Sequence, residues 1–329
     1  MKNHMLALVQ WVDREQAWFY LLGLGLGAVV GLSVPAVAPV AETTIVPLLA
    51  LLLYATFLGV PFNCFGAAFK DWKFMSSALV LNFLFVPVVV WILSRFVAHD
   101  HVVLVGVLCV LLTPCVDYVI VFACLAKGDS RSLLAAAPVL MIVQLILLPV
   151  YFWLFLGSGF LASIELGPFV DAFFWIIVVP LVLAALTQML AQRWQWVRVI
   201  ETLGSTLMVP LMMATLGVVV AAHIAGVSNQ LGELLLTVPV YIAFAGIMVP
   251  VGIVLGGAAK LGIPQQRSLV FSGVTRNSLV ILPLVLALPA EYSLAPLVVV
   301  TQTLIELIIM VVLVNVLPRI IRTRRDLAG

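Results

Sequence analysis

The chain has 329 residues, of which 64 % are hydrophobic and 9 % charged, with a formal net charge of +2. Soluble domains carry about 25 % charged residues, so this composition excludes a soluble globular protein. Many runs reach the roughly 18 apolar residues that suggest a membrane span, and no segment alternates apolar and polar residues as barrel strands do. The expected class is an all-α polytopic membrane protein with the lipid bilayer as its surroundings and no nucleic acid among its partners.

In chain order, Met1 to Glu15 is polar and mixed and reads as no signal peptide. The apolar run after it is too long for a cleaved segment and lacks a small-residue cleavage site. Ten spans follow, at 17–34, 45–62, 76–97, 102–126, 133–156, 169–192, 204–222, 235–258, 267–288 and 294–317. The connections between them are short, which leaves one ten-span domain over 1–329 with no soluble insertion. With the N-terminus in the cytoplasm, the inside segments hold fourteen of the 16 lysines and arginines. Of the other two, Arg95 lies outside and Arg276 lies inside a span. That bias places both termini in the cytoplasm of a multi-pass inner (plasma) membrane protein. The basic tail Arg319 to Arg325 reads as a stop signal, and contact with anionic lipid also fits it.

The halves repeat. Val46-Pro47-Leu48 recurs as Val209-Pro210-Leu211, and Val86-Pro87-Val88 as Val249-Pro250-Val251, each 163 residues on. The same step takes Pro114 to Asn277. Five spans per half is an odd number, so the repeats (approximately 17–156 and 169–317) lie inverted in the membrane, the arrangement of alternating-access transporters. Glycine ladders at Gly23, Gly27 and Gly31, and at Gly252 and Gly256, fit close helix packing.

Two spans are interrupted by polar residues, the fourth at Thr113-Pro114-Cys115-Val116-Asp117 and the ninth at Thr275-Arg276-Asn277-Ser278. Pro114 breaks a helical hydrogen-bond ladder. Broken helix at membrane depth is tolerated where the freed backbone lines a cavity or is covered by protein. Asp117, Arg276 and Glu306 are the ionisable residues within spans, and such groups mark a transport path by default. A structural ion pair with one further acid is the plainer reading. Under the repeat Thr113 corresponds to Arg276, the broken stretches cross near the bilayer centre, and Asp117 reaches Arg276. Gln144 corresponds to Leu307, which makes Gln144 with Glu306 a candidate cation or proton site. A helix–helix hydrogen bond serves Gln144 equally well.

The four cysteines, Cys64, Cys109, Cys115 and Cys124, show no zinc spacing and suggest no disulfide framework. Cys109 and Cys124 read as inert apolar side chains. Cys115 follows the helix-breaking proline, where a thiolate would be a soft ligand for thiophilic solutes. The histidines lie outside or at the edges of the spans, so no metal site and no cofactor are expected. No Ser/His/Asp set or pair of catalytic acids lies in the spans, so an enzyme is not expected either.

Thr113 to Phe122, followed by Leu125 and Gly128-Asp129, resembles the fourth-span signature of the arsenite efflux permeases. These belong to the bile acid/arsenite/riboflavin transporter superfamily. Leu304-Ile305-Glu306 resembles that family's last-span Leu-Ile-Glu. The resemblance implies two inverted five-helix repeats with crossed broken helices in spans 4 and 9, organised as a panel and a core. It also implies functional roles for Cys115 and Glu306. The ninth span departs from the pattern: Arg276 is an additional charge, and Leu279 stands where the family has a glutamate. Asp117 replaces a small residue, a change opposite in charge to Arg276. The expectation is a secondary transporter, a proton-coupled exporter of an arsenite-like trivalent metalloid. The alternative is sodium- or proton-coupled uptake of a small organic anion. A proton is preferred as coupling ion because a fixed guanidinium repels sodium. Expected transport residues are Cys115, Asp117, Arg276, Asn277 and Glu306, with Pro114 as the helix break.

Overall fold

The structure is a computed structural model, and it describes residues 16–59, 71–115, 118–163, 171, 173–225 and 231–322. The described residues are helical apart from short turns and one isolated antiparallel bridge. Among the described residues, seven helices are long and apolar enough to cross a membrane. Large apolar side chains such as Trp18, Leu84, Trp91, Ile146 and Val254 lie exposed on the helices. In water such a surface would mark an interaction site; on helices of this length it is the lipid-facing surface of a multi-pass membrane protein.

The helices are α1 (Gln16–Ser33), α2 (Ala38–Gly59), α3 (Trp72–Val80 and Val86–Ser94, joined by a π-helical turn at Leu81–Phe85), α4 (His101–Leu111) and α5 (Val119–Leu125). They continue with α6 (Ser130–Ser163, broken at Gly157), α7 (Val179–Ala191), α8 (Gln195–His223), α9 (Leu231–Ala258), α10 (Ile263–Val274), α11 (Ser278–Leu286) and α12 (Ala295–Ile320). Aspartates start several of them, as acceptors for the orphan N–H groups of a first turn. Asp71 accepts from Phe74 N at 3.4 Å, Asp100 from Val102 N at 2.8 Å, and Asp129 from Arg131 N at 3.1 Å.

The chain forms two compact units. The first comprises 1–59, 164–232 and 279–300, and the second 60–163, 233–278 and 301–329. Each draws on both halves of the sequence.

In the first unit α8 packs along α1 and α2, and α7 packs along α2. The α1 ladder works by close backbone approach. A Cβ on Gly27 would sit 2.2 Å from the Gly217 carbonyl oxygen, and one on Gly23 would sit 2.5 Å from that of Met213. Gly25, on another face, has nothing within 4 Å of such a Cβ. Gly27→Ala is therefore expected to destabilise by about 1–3 kcal/mol, the usual cost of overpacking. Gly25→Ala is expected to be silent. Thermal unfolding of both variants in detergent checks this, and equal midpoints would remove the ladder from the account. Polar bonds add to the packing: Tyr54 Oη and Thr187 Oγ1 are 2.8 Å apart, and Gln188 Nε2 donates to the Leu58 carbonyl at 3.0 Å.

In the second unit α10 packs against α3, α5 and α6. Gly252 and Gly256 of α9 lie against Val270 and Gln266 of α10, and Gly273 lies against Leu81 in the π-helical turn. The wide turn precedes Pro87, which has no N–H for a regular ladder. π-Helical turns are frequent at functional sites, and this one holds Asn82, which is fully buried.

Candidate functional site

The two interrupted spans of the sequence are interrupted in the structure: α4 and α5 are separate helices, as are α10 and α11. Within the second unit the breaks pair with each other. Cys115 N donates to the Thr275 carbonyl at 3.3 Å, and Asn277 N donates to the Thr113 carbonyl at 2.8 Å, around the antiparallel bridge Pro114–Arg276. Directly opposed residues in such a ladder alternate between bonding each other and pointing their polar groups outward. Pro114 sits where no N–H is needed. Its partner Arg276 accordingly turns both backbone groups away from the ladder. Arg276 N donates to Glu306 Oε2 at 2.7 Å, and its carbonyl accepts from Tyr118 Oη at 3.2 Å.

Glu306, on α12, is 3 % exposed. Its other partners are Tyr118 Oη, donating to Oε1 at 2.5 Å, and Gln302 Nε2, donating to Oε2 at 2.5 Å. Gln302 lies one turn earlier on the same helix, so the pair shares a face. Beside it a cavity of about 10 Å³ is lined by Leu111, Tyr241, Phe244, Gln302 and Glu306, among others. That is the room of a single water.

The Arg276 side chain is fully buried. Its Nη2 donates at 2.9 Å each to Asn82 Oδ1 and to the carbonyls of Ser272 and Gly273, and its Nη1 donates at 3.3 Å to the carbonyl of Leu111. Leu111 ends α4, and Ser272 and Gly273 lie in the last turn of α10. Helix C-termini carry orphan carbonyls and about half a negative charge, so one guanidinium caps two half-helices. Asn82 Nδ2 donates onward to Ser272 Oγ at 2.9 Å, and the Phe244 ring centre lies 5.4 Å from the guanidinium carbon. Among the described residues no ion pair involves Arg276.

The sequence-expected residues divide. Cys115, Arg276, Asn277 and Glu306 come together at the paired breaks, with Pro114 at the centre. Asp117 lies outside the described residues, as does Cys64. Gln144 is buried, and no hydrogen bond to Glu306 or to any other described residue reaches either amide atom. Tyr118, Gln302 and Asn82 are partners that sequence reasoning did not single out. Of these, Gln302 carried a signal, since it stands four residues before an intramembrane glutamate. Arg267 reads as a cytoplasmic flanking charge in the sequence; in the structure it is 1 % exposed and caps other chain ends. Its Nε and Nη2 donate to the Ile321 carbonyl at 3.0 and 2.6 Å, and Nη1 donates to those of Ala126 and Lys127 at 3.3 Å each.

No curated protein is significantly similar to the chain. A family model does match, over residues 46–233, more than half of the length. On that match the chain belongs to the sodium bile acid symporter family, whose members are membrane transporters of small solutes.

Proposed function

We propose that this transporter exports an arsenite-like trivalent metalloid in exchange for protons. The observation that carries the reading is the bond between Glu306 and Tyr118 beside the paired breaks. Tyr118 Oη has two acceptors within reach, Glu306 Oε1 and the Arg276 carbonyl. With Glu306 ionised the hydroxyl donates to the carboxylate. With Glu306 protonated the carboxyl donates to Oη, and the hydroxyl turns to the Arg276 carbonyl. A proton can thus be taken up with every donor still matched. Cys115, buried at the same break, supplies the soft ligand that a trivalent metalloid prefers. Asp117 pairs with Arg276 in this reading. Ten spans in two inverted repeats, with both termini in the cytoplasm, complete it.

The second reading, uptake of a small organic anion, is favoured by the family itself. Against it, both terminal nitrogens of the guanidinium, Nη1 and Nη2, already donate to carbonyl oxygens. Expression in a metalloid-sensitive, pump-deficient bacterium distinguishes them. The expected result is increased resistance, lost in Cys115→Ser at equal membrane abundance. No gain in resistance from well-inserted protein excludes the metalloid. A Cys115→Ser variant with unchanged flux in inverted vesicles across a solute panel favours the anion.

A further inference from the structure

The oxygens around Arg276 form a set of their own kind. Three are backbone carbonyls at the C-terminal ends of α4 and α10, and the fourth is the amide oxygen of Asn82, held in place by the π-helical turn of α3. Main-chain and amide oxygens are ligands for hard cations, and the carbonyl ends of broken helices are where transporters hold coupling cations. Here they converge on a guanidinium. Three of them surround one nitrogen, Nη2, at 2.9 Å each. The face of Phe244 adds a further favourable contact for a cation. The charge therefore meets an oxygen cage, and among the described residues that cage holds no carboxylate.

We infer that this cage is a monovalent-cation site that the chain occupies with its own side chain. Arg276 is a tethered cation. It joins the ends of α4 and α10 to Asn82 without help from solution, so the crossing is indifferent to sodium in a family named for sodium symport. Removal of the side chain converts the cage into a site for a free cation. Guanidinium fits best, because it carries the same donors, and sodium or potassium comes next. The inference does not depend on the metalloid reading. A chain that moves no metalloid still gives the cation response described below, and failure of that response leaves the transport assay untouched.

The test is thermal unfolding of purified wild type and Arg276→Ala in detergent, with choline, sodium, potassium or millimolar guanidinium as the only added cation. Arg276→Ala is expected to unfold earlier than wild type in choline. Guanidinium should raise its midpoint by at least about 3 °C, with a smaller rise from sodium or potassium, by the linkage between binding and stability. Wild type should show no cation-specific rise. Folded Arg276→Ala with the same midpoint in all four cations overturns the inference. If that variant gives too little folded protein, wild type decides. An unchanged midpoint between choline and sodium supports a filled cage, and a sodium-dependent rise overturns it.

Discussion

Glu306→Gln is expected to fold at close to wild-type yield and to lose pH-driven flux to the background level. The amide has the size of the carboxyl. Its oxygen can accept from Arg276 N and Gln302 Nε2, as Oε2 does now, and its NH₂ can donate to Tyr118 Oη while that hydroxyl turns to the Arg276 carbonyl. The variant is therefore a permanent copy of the protonated state. Glu306→Ala is a different experiment. It leaves three donors without their acceptor in a buried site, at about 1–3 kcal/mol for each that finds no other partner, and the folded yield should fall sharply. Flux into inverted vesicles, normalised to protein and driven separately by pH and sodium gradients, measures the first effect. Wild-type flux and pH response in Glu306→Gln would remove Glu306 from the proton path.

Arg267→Leu is expected to cost on the order of 3 kcal/mol or more, since it strips the shared donor from four chain-end carbonyls. Those of Ala126 and Lys127 follow α5, and those of Pro318 and Ile321 end α12. Its thermal midpoint in detergent should drop by about 5 °C or more. Arg267→Lys should fall between the two, because an ammonium cannot reproduce a planar fork that reaches two chain ends at once. A midpoint unchanged in Arg267→Leu would show that water caps these ends as well as the guanidinium does.

The two buried arginines show where sequence reading succeeded and where it stopped. Each was legible as a charge, and the interruption at Arg276 was legible as a broken helix facing another. Their work was not legible, because both serve backbone carbonyls, and backbone acceptors leave no mark in a list of side chains. Asp117, the carboxylate expected beside Arg276, lies outside the described residues. Gln144 illustrates the converse. Its place in the repeat suggested company for Glu306, yet Gln302, on the same helix as Glu306, holds that position.

The sequence by itself determined that this is a helical membrane protein, roughly where its helices run, and that two of them break. Each follows from a local cause: about 20 apolar residues span the hydrocarbon, and a proline or a polar cluster cannot continue an apolar helix without a partner. Only the tertiary structure decided which polar groups meet. When nearly every position of a helix is apolar, periodicity no longer marks an inward face. The facing of Asn82, Tyr118, Gln302 and Glu306 toward Arg276 is then set by helix packing and by the antiparallel pairing of two chain breaks 162 residues apart between Pro114 and Arg276.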